Sequence, residues 1–263
     1  MLLDDLLNLP PLLGCLILIA TIIVFGLTIY LASYRILFRG KHELLGDATR
    51  TIFLAVNLLV GLFLSLTLND VANSLSNIED IVGREAAAIS DVYHGLNHID
   101  SPASDDIQLQ LIDYTKALIE DELPSLAENK LSGQAEALLR KIGSAMHFLD
   151  THSKMEDRTW IRISADLDSM SNYRLERLHY ALSPPPFFLL VVICGMVVVM
   201  VCLGVYQPSR SLVFLVSFYL SFVGLTVYLI LSLSDPFQGL PGVDPASLEN
   251  VLNEMLRIHK SAL

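Results

Sequence analysis

The stretch NLLVGLFLSLTLNDVANSLSN, Asn57 to Asn77, carries a polar pattern out of apolar sequence and into plainly wet sequence. Asn57, Gly61, Ser65, Asn69, Asn73 and Asn77 recur along it every four residues. An α-helix turns about 100° per residue, so a four-residue repeat drifts by only about 40° per step. The six residues therefore form one slowly winding seam. An unpaired polar group is costly in hydrocarbon, so the seam does not face lipid. Two arrangements satisfy that constraint. One is a helix–helix interface, where small residues allow close approach and Asn or Ser bond across. The other is a water-filled passage lined by amides. Both hold at once where identical subunits meet around an axis.

Outward from the seam, four windows are almost free of charge: 12–34, 51–69, 186–206 and 211–233. Each reaches or nearly reaches the ~20 residues that cross a ~30 Å hydrocarbon layer. The second is short and contains Asn57, with Asn69 and Asp70 placed for the headgroup level. The expected fold is all-α: a polytopic membrane protein with four transmembrane helices, two and two, and a helical, water-exposed insert between helices two and three. Its expected parts are an N-terminal hairpin (1–69), the insert (70–183), a C-terminal hairpin (184–234), and a turn-rich connector with a docked amphipathic helix (235–263). Asp4 and Asp5 stand where a secretory signal carries bases, and the apolar run is too long for one. The first helix is thus expected to remain as an anchor. The implied setting is a cell membrane, inner or plasma, crossed several times.

Of 263 residues 53% are apolar, yet the formal charge is −11. Most of that charge lies in 70–183, which holds 20 acidic and 10 basic residues. Such an insert repels nucleic acid. Cys15, Cys194 and Cys202 lie in the oily windows without a pairing pattern. Within the insert, a first helix continues from the membrane through IEDIVGREAAAISDVYHGL, and Ser104 is placed to cap the next. Helical steps then align Ile107, Leu111, Tyr114 and Leu118, then Leu138, Ile142 and Met146, then Trp160, Ile163, Leu167 and Met170. Pro124 interrupts the second helix. After SDPFQGLPGVDP, Asp244 caps a last helix with Pro245 at its start and Leu248, Leu252 and Met255 on one face.

Other chemistry is sparse. His94 and His98 share a helix face at metal-ligand spacing, but no third ligand follows, so a solvated surface is the expectation and no metal or cofactor is assigned. The acidic run Glu120, Asp121, Glu122 reads as a solvated helix end. Asp47 suits a helix N-terminus. No hydrolase, phosphate-loop or dinucleotide motif is present, so an enzyme is not expected.

Several short elements resemble a bacterial bestrophin-like membrane family, itself of unknown function and distantly similar to bestrophin anion channels. HELLG spans His42 to Gly46, VGREAAAISDVY Val82 to Tyr93, EDELP Glu120 to Pro124 with Glu122 and Pro124 at its key positions, and SDPFQG includes Asp235, Pro236, Phe237 and Gly239. VDPASLENVL follows, and the likeness covers about 12–258. It implies a homo-oligomer, as in the pentameric bestrophins, in a lipid bilayer, passing small ions, with the second helix at the axis. Bestrophins have bulky apolar residues along the neck and an aromatic- and Arg-rich stretch after it. This chain has NDVANSLSNIED instead, and Asp70, Glu79 and Asp80 form an acidic rim that repels anions.

The resulting expectation is a bestrophin-like pore lined by Asn57, Gly61, Ser65 and Asn69, with Asn73 and Asn77 entering a vestibule. The alternative is a non-conducting membrane scaffold or sensor whose insert binds a partner. Orientation is left open by two opposed indications. Arg35, Arg39, Lys41, Arg50 and Arg210 outnumber Arg84, Arg174 and Arg177 on the insert side, which places the insert outside. A bestrophin arrangement places it inside.

Overall fold

The computed structural model describes residues 10–38, 46–99, 101–127, 130–152, 157–181, 188–237 and 242–262. Every regular element among them is helical. Helix α1 is Pro11–Ser33, followed by a π turn at Tyr34–Phe38; α2 is Gly46–Asn97. Then come α3 (Pro102–Ala117), a second π turn (Leu118–Glu122), α4 (Leu123–Ala127), α5 (Gly133–His152) and α6 (Asp157–Ala181). Helices α7 (Phe188–Leu203), α8 (Arg210–Ser234) and α9 (Ala246–Ala262) complete the order. His42 and Gly239 lie outside the described residues, as does the side chain of Asp47, while Gly46 opens α2.

The described residues fall into two compact units. The first lies within Met1–Asn73, Pro184–Ser234 and Gln238–Pro241, the second within Ser74–Ser183, Asp235–Phe237 and Gly242–Leu263. In the first unit, Pro11 begins α1 because its missing N–H is one that a first turn leaves unbonded anyway. Leu12, Val24 and Phe25 are exposed on α1, as Phe214, Phe218 and Phe222 are on α8. Apolar surface of this kind suits lipid. Among the described residues three helical stretches are long and apolar enough to cross a membrane: Pro11–Ile36, Thr49–Asn97 and Arg210–Ser234. The fourth expected window is represented by α7, whose 16 residues extend about 24 Å at 1.5 Å per residue.

Glycines let these helices approach. A Cβ on Gly26 would stand 2.6 Å from Leu220 Cδ1, and one on Gly224 would stand 3.2 Å from the Ile19 Cα. One on Gly195 would collide with Val60. Tyr30 is fully buried, and its hydroxyl donates to the Tyr206 carbonyl at 3.2 Å, tying α1 to the turn after α7.

The second unit packs the apolar faces expected from periodicity. Ile107, Leu111, Tyr114, Ile142, Met146, Ile163 and Met170 are buried together with Leu248 and Met255 of α9. The last helix is thus docked. Asp244 Oδ1 accepts from the Ala246 N–H at 2.9 Å, and the Tyr93 hydroxyl donates to the Met255 carbonyl at 3.3 Å. Ahead of α9, Pro236 is buried and its carbonyl accepts from Val243 N–H at 2.9 Å, with Phe237 packed on the core. One expected cap is corrected. Ser101, not Ser104, caps α3, because Pro102 fits only the first helical position. Ser104 is buried inside the first turn and donates to the Ile99 and Ser101 carbonyls.

Gly224→Leu forces a side chain against the Ile19 backbone and is expected to cost about 1–3 kcal/mol. Gly61→Ala meets no atom within 4 Å and leaves the protomer's thermal unfolding in detergent unchanged.

Candidate functional site

A single 52-residue helix, α2, carries the whole seam. Its buried positions follow a different period. Leu64, Val71, Ile78, Glu85 and Val92 are buried at seven-residue intervals, with Thr67 and Ile81 buried between them and Val60 one turn before. A seven-residue repeat keeps nearly one side of a helix, drifting about 20° per heptad. The four-residue seam drifts about 40° per step, so it starts beside the buried stripe and winds away from it.

Asn57 is half-buried, and its Oδ1 accepts from the Tyr219 hydroxyl at 2.7 Å, joining α2 to α8. Gly61, Ser65, Asn69, Asn73 and Asn77 are all exposed. No side-chain hydrogen bond engages Ser65 or the last three asparagines among the described residues. Thr67, on the buried side, is satisfied by donating to the Phe63 carbonyl at 2.7 Å. The exposed side also carries Leu58, Leu62 and Leu66. Their types did not mark them in the sequence, since leucine in an oily window is the default lipid-facing residue. Asp70, Glu79 and Asp80 are exposed as well. Asp80 pairs with Arg84 at 2.7 Å, whereas Asp70 and Glu79 have no ion pair among the described residues.

The acidic run after α3 departs from expectation. Glu120 is exposed, but Glu122 is fully buried, and the half-buried Asp121 accepts from Ser132. Pro124 has no N–H to close the helix onto the Glu120 carbonyl, and the chain just before it adopts a π turn. The extra residue in that turn rotates Glu122 inward. There it meets two arginines of α6, one of which also holds Glu85 of α2. Arg177 donates through Nε to Glu85 Oε2 at 2.8 Å and through Nη2 to Glu122 Oε1 at 2.6 Å. Arg174 donates through Nε and Nη2 to Glu122 Oε2 at 3.0 and 2.7 Å, and through Nη1 to Glu136 at 2.7 Å.

Two carboxylates and two guanidiniums thus neutralise one another in the core. Burial opposes the charge on Arg177, but Glu85 and then Glu122 outweigh it and hold its pKa above the ordinary guanidinium value. Burial also opposes the charge on Arg174, whose bond to Glu122 prevails in the same direction. Burial, with Glu85 adding to it, pushes the Tyr114 hydroxyl well up. The segments Val82–Tyr93 and Glu120–Pro124 therefore converge through Glu85 and Glu122. Arg174 and Arg177, being internal, do not act as loop charges for membrane orientation.

His94 Nε2 lies 3.4 Å from Glu254 of α9 and both are partly exposed, while His98 sits apart beside Arg158 and Arg162. Among the described residues no three His, Cys, Asp or Glu side chains group as metal ligands. Arg177→Met leaves buried carboxylate unpaired and is expected to destabilise the fold by about 3–5 kcal/mol. Adding Glu85→Leu should recover part of that loss, read from urea unfolding of the purified chain.

Comparison with known proteins agrees with this architecture. Residues 12–248 match the family model described as the Bestrophin-like domain. No curated protein matches the chain. Two mutant forms of a bacterial bestrophin homolog from Klebsiella pneumoniae are similar in structure. One has a TM-score of 0.67 at 17% identity, covering 93% of this chain and 98% of that one. The other has 0.68 at 15% identity, covering 93% and 98%. A crystal structure described only as that of a mutant membrane protein gives 0.69 at 15% identity, again covering 93% and 98%. At these identities the likeness to solved structures is one of fold. With the family model spanning most of its length, the chain belongs to the bestrophin-like family.

Proposed function

We propose that this protein is an oligomeric ion channel or pore of the bestrophin-like family, with α2 lining the axis. The observation that carries this is the unpaired polar face of α2. Gly61, Ser65, Asn69, Asn73 and Asn77 are exposed on the protomer, and the three asparagines and Ser65 make no side-chain bond within it among the described residues. Sister protomers around an axis, five by analogy with bestrophins, would shield that face from acyl chains. Asn57, bonded to Tyr219, forms the edge of the lining. Amides supply donors and acceptors without net charge, so selectivity is weak unless Asp70 and Glu79 bias it toward cations. In this proposal α7 and its flanks form a fourth span in a two-and-two arrangement around the helical insert, in a bacterial inner membrane. The role needs no catalytic group and no cofactor.

A second function has a specific observation behind it. In the Asn57–Tyr219 bond an α2 amide joins two helices, which supports a packing role for such groups. If the remaining seam does only that, the protein is a non-conducting scaffold or sensor whose insert binds a partner.

Liposomes containing the purified chain are expected to pass small ions, and Asn69→Leu to reduce that flux several-fold. Mass in detergent should be a multiple of 29.1 kDa. Silent, tight vesicles with an intact oligomer would transfer the assignment to the scaffold.

A further inference from the structure

The second unit is strongly acidic, yet one of its grooves has no carboxylate among the described residues that line it. It encloses about 310 Å³ between the end of α2 and the start of α6, and is lined by Gly95, His98, Arg158, Thr159, Arg162 and Ile163. Its floor is set by close helix approach: a Cβ on Gly95 would stand 2.7 Å from Ile163 Cγ1, and Ile163 is buried. Arg158 and Arg162 occupy neighbouring turns of one helix face, where like charges repel and destabilise. Neither His98 nor Arg158 has an ion pair among the described residues, and Arg162 has only Asp166 at 3.9 Å. Burial and then Asp91 raise the pKa of that aspartate.

We propose that this groove binds a phosphate group carried by a small molecule or a lipid head. Two guanidinium forks match the tetrahedral oxyanion and offset its double charge. The Thr159 hydroxyl of α6 and the His98 imidazole, in the turn after α2, add donors. The apolar floor and the volume of this half-open groove suit an organic phosphate better than a single halide, since small-ligand pockets begin at about 300 Å³. This site is independent of the polar face of α2 and of whether the protein conducts.

The test is calorimetric titration of the full chain in phosphatidylcholine nanodiscs with inorganic phosphate and, separately, glycerol 3-phosphate. Saturable binding is expected, weakened at least tenfold by Arg158→Ala together with Arg162→Ala and unaffected by Arg140→Ala. The two substituted residues are exposed, so an unchanged melting temperature should certify the fold; the single Arg158→Ala serves if the double variant is unstable. Competition from phosphatidic acid in the nanodisc assigns the site to a lipid head, and its absence assigns it to soluble phosphate. No saturable heat with either probe, or equal binding in the double variant, overturns the proposal.

Discussion

The constraint on which the structure turns is that a carboxamide without a hydrogen-bond partner is not stable among acyl chains. Helix α2 meets this constraint in two ways. On its buried side the polar groups are satisfied locally, as Thr67 is by the Phe63 carbonyl and Asn57 is by Tyr219. On its other side Asn69 and Asn73 remain exposed and without a side-chain bond among the described residues. A helix so divided is complete only when something polar, water or another copy of itself, covers the second side. The glycine contacts of α1, α7 and α8 reinforce the contrast, for each of those meets a neighbour while Gly61 meets open space.

In the second unit the same physics acts on charge. Glu85, Glu122, Arg174 and Arg177 are taken out of water together, which is tolerable because every carboxylate faces a fork of guanidinium donors. The network joins α2, the π turn and α6, so one substitution there disturbs three elements. A domain with an acidic exterior thus has an interior neutral in sum, and its surface charge remains free to act on ions or ligands.

Much of the helical framework was legible because it depends on local periodicity. The apolar steps of Ile107 to Leu118 and the Asp244 start of the last helix are short-range signals, and they match the structure. The seam was visible too, but its period of four concealed a divergence: the helix buries a period near 3.5, so Asn57 is separated from the residues that follow it. The charge cluster was not legible. Glu85 and Arg177 are 92 positions apart, and isolated charged residues in an acidic, amphipathic sequence default to solvent. Nor did Pro124 announce a π turn, since proline in a helix equally signals a kink or an end. Ser101 and Ser104 were both plausible caps, and only the position of Pro102 separates them.

A nitroxide attached at position 69 in a cysteine-free background, in lipid bilayers, tests the central claim most directly, with position 218 as the lipid-facing reference. The account predicts spin–spin broadening between protomers at 69 and collisions with a water-soluble nickel reagent exceeding those with oxygen. Oxygen accessibility at 69 equal to that at 218, without broadening, would contradict it.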